Sequence, residues 1–257
     1  MSRKEAAVVA VVLPIRFPAP WLIDCLDSLQ VVEDVPIEIT MSIHGESPHN
    51  SEWISGPSNV TVVNSTSEST LSDVLNAGVS ASTAPLVARI DSDDVMRPDR
   101  LREQSRFLLR NPDHVLVASH AIEIDEAGTE IGYRGSPTTN GAILKTLRWR
   151  NPLIHPSVMF RRSAFDQVGG YKPCAHLAED YELWLRMAQI GELASIDQPL
   201  IKYRVHSQQT SRRGKITRAS SREVLRARRA VAASRHESQI AAWMRHQVWH
   251  MYHRMRT

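Results

Sequence analysis

The sequence alternates short β-branched runs with segments that place apolar residues at helical spacing. The run from Val8 to Ile15 is predicted to be a strand closed by Pro14, and residues 21–29 are predicted to form a helix. The same alternation predicts strands at 37–43, 60–63 and 86–90 and a helix at 71–79. Strands that alternate with helices favour an α/β fold with a mostly parallel central sheet flanked by helices, in which ligands bind beyond the carboxyl ends of the strands.

Three aspartates follow directly after the predicted strand 86–90. They are Asp91, Asp93 and Asp94, separated only by Ser92. An Asp-x-Asp pair is expected roughly once by chance in a chain of this composition, so its position after a strand carries the argument. Hard cations prefer oxygen ligands and commonly enter protein sites together with substrate phosphates. The cluster therefore predicts a Mg²⁺ or Mn²⁺ site that holds a metal diphosphate.

The second half of the chain continues with shorter elements. The patterns predict a helix at 97–110, strands at 115–118, 121–124, 157–160 and 199–205, turns at 126–128 and 169–171, a loop at 135–141 and a helix at 181–189.

Several polar residues of this half have two interpretations. Glu179 and Asp180 precede the helix 181–189, where they act either as caps or, if they face the aspartates, as proton acceptors. His206 follows a predicted strand and is either a metal ligand or an ordinary surface histidine; His155 before Pro156 is equally ambiguous. Arg89 and Arg204 suit a diphosphate or a structural ion pair.

The composition limits the classes of protein to consider. With 257 residues, 42% of them hydrophobic and 23% charged, the chain has the profile of a soluble globular protein. Its only cysteines, Cys25 and Cys174, provide neither a disulfide framework nor metal-ligand spacing, which fits a reducing, cytoplasmic setting. The chain lacks a P-loop, a dinucleotide fingerprint, a nucleophile elbow and a zinc helix. Metal-assisted phosphate chemistry remains the leading hypothesis.

The charge is divided unevenly along the chain. Residues 212–257 hold 12 Lys and Arg against 2 Asp and Glu, which leaves 19 against 26 for residues 1–211, so the body carries about −7 and the tail about +10. Within the tail, apolar residues recur at helical spacing, which predicts an amphipathic helix. They are Ile240, Met244, Val248, Met251, Tyr252 and Met255.

Seven motifs stand in a fixed order along the chain, at residues 11–14, 75–78, 88–94, 155–161, 169–171, 179–184 and 203–206. Taken together, they resemble the motifs of family 2 glycosyltransferases, most closely the bacterial enzymes of capsule, exopolysaccharide and lipid-linked glycan assembly. The resemblance spans roughly residues 8–211 and implies a GT-A fold. It also implies inverting transfer of a sugar from a nucleotide diphosphate to a hydroxyl of a glycan or lipid-linked acceptor.

The resemblance also implies roles for individual residues. Asp180 is similar in position to the general base, with Glu179 as a supporting neighbour, and His206 joins Asp91, Asp93 and Asp94 as a metal ligand for Mn²⁺ or Mg²⁺. The residues implied in nucleotide and donor binding are Pro14, Arg16, Glu46, Asn76, Arg89, Asp91, Ser92, His155 and Arg204.

The chain departs from the family pattern at two places. Residues 43–47 stand where related sequences commonly have an Asp-Asp-Gly-Ser-like loop, and Glu46 is the candidate to replace the missing carboxylate. Phe17 replaces the usual Asn after the first strand. A UDP-sugar is the expected donor. The altered loop also keeps open a non-catalytic sugar-nucleotide-binding or scaffold protein of the same fold, whereas nucleotidyl transfer lacks its Gly-rich loop.

These interpretations divide the chain into a nucleotide-sugar-binding half at 1–105, an acceptor half at 106–211 and a basic helical tail at 212–257. The tail fits either an anionic membrane surface, which suits a lipid-linked acceptor, or a packing role on the enzyme body or a second subunit in a homodimer. No recognition motif supports nucleic-acid binding. We expect a cytoplasmic protein, peripheral on the inner face of the membrane.

Overall fold

The computed structural model describes residues 8–45, 59–209 and 215–255. The strands are β1 (Val9–Arg16), β2 (Ile37–His44), β3 (Val60–Ser65), β4 (Leu86–Arg89), β5 (Val95–Met96), β6 (His114–Ile124), β7 (Glu130–Arg134), β8 (Met159–Arg161) and β9 (Glu192–Arg204). The helices are α1 (Leu22–Gln30), α2 (Leu71–Ser80), α3 (Arg100–Arg110), α4 (Asn140–Leu147), α5 (Arg162–Val168), α6 (Glu179–Met187), α7 (Arg218–Ser234) and α8 (Gln239–Met255).

A single sheet runs through the fold in the order β3-β2-β1-β4-β8-β6-β9-β5, and β7 pairs with β6. Strands β3, β2, β1 and β4 are parallel, β8 is antiparallel between β4 and β6, and β6 is parallel to β9. Helices cover both faces of this sheet. The predicted α/β class is therefore confirmed, and the parallel block brings the carboxyl ends of β1, β2 and β4 to one edge.

Side chains of β1 alternate between two cores. Val9, Val11 and Leu13 pack with α1 and α3 on one face of the sheet. Ala10 and Val12 pack on the other face with α2, α6 and α7. Burial on both faces explains the continuous apolar run in the sequence, because parallel strands between two helix layers have no polar side.

Strand β1 does not end at Pro14 as predicted. It continues to Arg16 and pairs with β2 along its whole length. The Val12 carbonyl accepts a hydrogen bond from the N–H of Ile90, which directly follows β4. Pro14 is two residues further along β1, so its backbone nitrogen also faces the β4 side. The β1–β4 pairing stops at Val12, so no neighbouring strand requires the N–H that proline lacks.

Other boundaries also differ from the sequence predictions. The predicted strands 115–118 and 121–124 are one strand, β6, whose pairing with β9 shifts register around His120. Strand β7 and helices α4 and α5 were not predicted, and the helix predicted at 181–189 begins at Glu179. The turn predicted at 169–171 is present, with Gly169 in the left-handed conformation at the end of α5.

The C-terminal helices are joined to the rest of the fold. Val224, Ala227 and Val231 of α7 and Trp249 of α8 belong to the same buried cluster as residues of α6. No helix in the described ranges combines the length and apolar character needed to cross a bilayer.

Candidate active site

The aspartate cluster, Asp91, Asp93 and Asp94, lies at the carboxyl end of β4. One oxygen from each carboxylate lies within 4.8 Å of the others. The segment turns back on itself, because the Asp94 N–H donates to the Asp91 carbonyl at 3.2 Å. Asp94 is buried; its Oδ1 accepts from the backbone N–H of Arg204, whereas its Oδ2 has no hydrogen-bond partner in the described structure.

The electrostatics of the cluster fit a divalent cation. Burial raises the pKa of Asp91 to about 6, Arg89 opposes the increase and Asp93 adds to it. Burial, followed by repulsion from Asp93 and Asp91, raises the pKa of Asp94 well above its ordinary value. A buried carboxylate oxygen without a donor, among like charges, is costly. An all-carboxylate set with room for further ligands is typical of Mg²⁺ and Mn²⁺ sites.

His206 is held directly against this cluster. Its Nδ1 accepts from the Gln208 backbone N–H at 3.2 Å, so Nε2 carries the proton and donates to Asp93 Oδ2 at 2.7 Å. The Trp21 ring lies 4.5 Å away between centroids. The structure thus places His206 where a ligand was predicted, while its role as a ligand stays a prediction.

Hydrogen bonds from the Arg204 side chain hold the aspartate loop in place. Its guanidinium donates to the Asp93 carbonyl at 2.9 Å, to the carbonyls of Asp125 and Glu126 and to the Asp24 carboxylate at 2.9 Å. These contacts join the cluster to α1 and to the β6–β7 turn. Because the protein already occupies most of its donors, its predicted contact with diphosphate would have to use the remaining one.

Arg89 interacts with the aspartate cluster directly and with Asp180 of α6 electrostatically. It is 4% exposed, and its Nη2 donates to the Asp91 carboxylate. Its Nε and Nη1 are buried and have no partner in the described ranges. Burial disfavours its protonated form, but the nearby acids, Asp91 first and then Asp94 and Asp180, keep the pKa of Arg89 above its ordinary value. Unpaired buried N–H groups on a cation make Arg89 a candidate to contact an anion.

Glu179 and Asp180 form the first turn of α6. Ala178 is the N-cap and has no side-chain capping bond, so neither acid is the N-cap residue. Asp180 Oδ1 accepts from the adjacent Tyr181 N–H at 2.6 Å, and its Oδ2 accepts from the Asn151 side chain at 2.6 Å. Asn151 is itself oriented, because its Oδ1 accepts from the Leu153 N–H at 3.0 Å.

Both acids are harder to ionise than in water. Burial, and then the charge of Glu179, raises the pKa of Asp180 to about 7. Burial also raises the pKa of Glu179, whose Oε2 has no partner among the described residues. The charge of Asp180 in turn contributes to the raised pKa of Asp91, so the two acidic groups share one electrostatic neighbourhood. The two sets of acids, which lie at least 85 positions apart in the sequence, therefore interact electrostatically in the fold.

His155 lies next to Asp180. Its Nε2 lies 2.9 Å from the Tyr171 hydroxyl, and its Nδ1 lies 3.9 Å from Asp180 Oδ2. Burial and the nearby charge of Arg89 lower the pKa of His155 well below its ordinary value. The imidazole is therefore neutral at pH 7 and leaves the charge of Asp180 unneutralised.

The remaining predicted site residues have varied positions. Pro14 is buried inside β1, Arg16 is exposed at its end and Ser92 lies within the aspartate loop. The Asn76 side-chain amide donates to the Tyr171 carbonyl at 2.8 Å and accepts from the Tyr171 N–H at 2.9 Å. These hydrogen bonds fix the turn 169–171 against α2. Glu46 lies outside the described residues. The donor-binding roles of these residues stay predictions.

Two supporting residues were not predicted. Arg100 is fully buried and donates to the carbonyls of Arg89 at 2.8 Å and Val158 at 3.1 Å, so it fixes the end of β4. Burial lowers its pKa to about 9. Gln104 accepts from Arg100 at 2.9 Å. The signal was available: these polar residues, four apart, share a helix face with Leu101 and Leu108.

Comparison with known proteins gives concordant matches. The model of glycosyl transferase family 2 matches residues 10–169, more than half of the chain. The amylovoran biosynthesis glycosyltransferase AmsE of Erwinia amylovora is 35% identical over 144 residues, which cover 56% of this chain and 53% of AmsE. The UDP-Gal:alpha-D-GlcNAc-diphosphoundecaprenol beta-1,3-galactosyltransferase of Escherichia coli is 33% identical over 152 residues, covering 59% and 55%.

Solved structures agree in fold. The crystal structure of S. aureus TarS 1-349 in complex with UDP-GlcNAc has a TM-score of 0.69 and 12% sequence identity, and the match covers 94% of this chain and 71% of that one. At this identity the likeness concerns the fold alone. The chain matches only about half the length of its curated relatives.

Proposed function

The chain belongs to glycosyl transferase family 2, and from this premise we propose that it moves a sugar from a nucleotide diphosphate to a hydroxyl with inversion at the anomeric carbon. The observation that carries the proposal is the placement of Arg89. It donates a hydrogen bond to Asp91, and the charge of Asp180 also favours its protonated form. The anionic leaving group needs a bound cation, which is the proposed task of the aspartate cluster. The attacking hydroxyl must lose a proton, which is the proposed task of Asp180.

The residues that would hold a metal ion are Asp91, Asp93 and Asp94, with His206 beside them. When bound, Mg²⁺ or Mn²⁺ supplies Lewis-acid stabilisation of the negative charge that develops on the departing diphosphate. The unpaired Nε and Nη1 of Arg89 donate to the diphosphate from the protein side.

Asp180 is the proposed general base. A carboxylate with a pKa of about 7 is a stronger base than an ordinary aspartate and is still substantially ionised at neutral pH. Asn151 holds its Oδ2 in place, and the acceptor hydroxyl transfers its proton to the carboxylate as its oxygen forms the bond to the anomeric carbon. The bond from that carbon to the diphosphate oxygen breaks on the opposite face. Glu179, immediately before it, supports the site and contacts the sugar.

The substrates follow from the relatives as proposals. A UDP-sugar is the proposed donor, supported by the UDP-GlcNAc bound in TarS and by the UDP-Gal in the name of the Escherichia coli relative. A glycan or lipid-linked acceptor is supported by the diphosphoundecaprenol in the same name.

The test separates metal binding from proton transfer. Calorimetry with UDP, in Mn²⁺ or in EDTA, measures binding, and UDP release from UDP-glucose, UDP-galactose and UDP-GlcNAc measures turnover. We expect Asp93→Asn to lose the Mn²⁺-dependent part of UDP binding. Asp180→Asn should retain that binding but release UDP at least about 100-fold more slowly. The control is Asp166→Asn, on the exposed side of α5. Unchanged UDP release by Asp180→Asn would contradict the role of Asp180 as the general base. UDP binding that is unaffected by EDTA would contradict the role of a metal ion.

A further inference from the structure

Helix α8 has two apolar faces, and only one is covered by the protein. Ala242, His246 and Trp249 are 3 to 6% exposed, and Trp249 packs into the main core. The opposite face carries an apolar stripe that is between 52 and 70% exposed. The stripe consists of Ile240, Met244, Val248 and Met251.

The stripe is continuous and uncharged. Its four residues recur at helical spacing, and the aromatic side chains of Trp243 and Tyr252 flank it at 44 and 47% exposure. Among residues 240–252, Gln247 is the polar residue within this arc. The sequence left open whether the tail's apolar residues pack on the enzyme body; for this stripe the structure shows that they do not. An exposed apolar surface of this extent on a folded protein marks an interaction site.

A basic groove lies beside the stripe, between α7 and α8. It is lined by Arg218 and Arg222 from α7 and by His246 and His250 from α8. Ser221 Oγ lies 3.0 Å from both His246 Nε2 and His250 Nδ1. His246 is 3% exposed, and its Nδ1 has no hydrogen-bond partner in the described structure. Because burial lowers the pKa of His246 to about 4, the positive charge of the groove comes from Arg218 and Arg222.

No carboxylate of the described tail neutralises this groove. Glu223 is paired with Lys172 at 3.3 Å and with Arg226 at 2.7 Å. Glu237 is paired with Arg148 and, at 3.7 Å, with Arg245. Arg218 and Arg222 are exposed and have no ion-pair partner in the ranges that the structure describes. Within the described residues, therefore, the positive charges of Arg218 and Arg222 are not neutralised.

From these observations we propose that α8 docks on an anionic lipid surface, with the stripe among the lipid chains and headgroup phosphates in the basic groove. A second copy of the chain is the other candidate to cover the stripe. It would bring a tail of about +10 against an equal charge, which is repulsive, whereas an anionic surface complements the tail. The stripe covers 12 residues, or about 18 Å, so the helix lies in the interface and does not span it.

The experiment measures partition of the full chain onto vesicles. Co-sedimentation with phosphatidylcholine vesicles is compared with vesicles that contain phosphatidylglycerol, at low and high salt. We expect binding only to the anionic vesicles, weakened by salt. Val248→Glu should reduce binding at least tenfold, with Met244→Glu as a second variant of the stripe. Replacing both Arg218 and Arg222 by Gln should reduce it roughly 30-fold.

The matched controls lie on α3, where Leu109 is 67% exposed and Arg110 is also exposed. Leu109→Glu and Arg110→Gln should bind as wild type does. Equal binding to neutral and anionic vesicles, or full binding by both stripe variants, would overturn the proposal. So would a lipid-free dimer in sedimentation velocity that Val248→Glu dissociates, because a second copy would then cover the stripe. Vesicle binding does not depend on sugar transfer, so its outcome is independent of the proposed function.

Discussion

Replacing Asp180 by Asn removes the proposed base. It should also raise the free energy of unfolding relative to wild type, by an amount that grows as the pH rises. The pKa of Asp180 is about 7 in the fold, against an ordinary value of 3.8. In the unfolded chain the carboxyl loses its proton near pH 4, whereas in the folded chain it keeps the proton until about pH 7. Ionisation therefore favours the unfolded state, and this group's contribution to stability is lost as the pH rises from about 4 through 7.

The size of the effect follows from the two pKa values. One pKa unit corresponds to about 1.4 kcal/mol. The raised pKa of Asp180 therefore lowers the free energy of unfolding by about 1.7 kcal/mol at pH 5 and by about 4 kcal/mol at pH 8. The difference is about 2.5 kcal/mol. Because the Asp180 side chain is 22% exposed, water reaches part of it, and we expect about 1 to 2.5 kcal/mol. The charge of Asp180 also raises the pKa of Asp91, so its removal acts in the same direction.

The assay is urea unfolding of wild type and Asp180→Asn at pH 5 and pH 8. The asparagine can accept from Asn151 but loses the bond from the Tyr181 N–H, a pH-independent cost of about 1 kcal/mol. The informative quantity is therefore the change in the difference of unfolding free energy between the two pH values. Asp166→Asn, on the exposed side of α5, should follow wild type. If Asp180→Asn shows the same pH dependence as wild type, Asp180 is not a buried carboxyl with a raised pKa.

Two further predictions concern packing. A Cβ on Gly78 would overlap Ser42 Oγ and lie 2.7 Å from Val12 Cγ1, so Gly78→Ala should lower the free energy of unfolding by about 1 to 3 kcal/mol in urea titrations. Gly141, also helical, has nothing within 4 Å of the same position, so Gly141→Ala should instead stabilise by about 0.5 to 1 kcal/mol; equal effects would contradict this account. Arg228→Met should cost about 1 to 3 kcal/mol by the same assay, because it removes the donor to the Tyr181 hydroxyl, whereas Arg226, 72% exposed, should tolerate the change; a neutral Arg228→Met would show that the contact is not stabilising.

The sequence predicted the parallel block and the aspartate cluster because both depend on short-range signals. The strands are apolar on both faces, and the acids follow β4 at once. The family resemblance is confirmed by the family model, which matches residues 10–169. The motifs at 179–184 and 203–206 lie beyond that match, and the role of Asp180 stays a prediction. No local pattern could show that Asn151 holds Asp180 or that Arg89 and Asp180 interact electrostatically, because these interactions join segments that are distant in sequence.

Helices α4 and α5 were missed for a different reason. Both are short, and α5 follows β8 without an intervening loop residue, so the sequence has no boundary signal between Arg161 and Arg162. The tail shows a further limit. Apolar periodicity predicted the helix α8, but the face that packs on the protein is built from Ala242, His246 and Trp249, which look less apolar than the stripe that stays exposed. Periodicity detects an apolar face without showing what covers it.

The tail is also part of the frame that positions the proposed base. Ser220 of α7 donates to the His176 carbonyl at 2.8 Å, and Arg228 donates to the hydroxyl of Tyr181, the residue after Asp180. Lys172 lies 3.3 Å from both Glu223 of α7 and Glu182 of α6. Deleting residues 212–257 would therefore remove contacts of the helix that carries Asp180 together with the stripe proposed to bind lipid. Loss of transfer in such a deletion would report on both, so the membrane question needs substitutions on the outer face of α8, where the side chains do not touch α6.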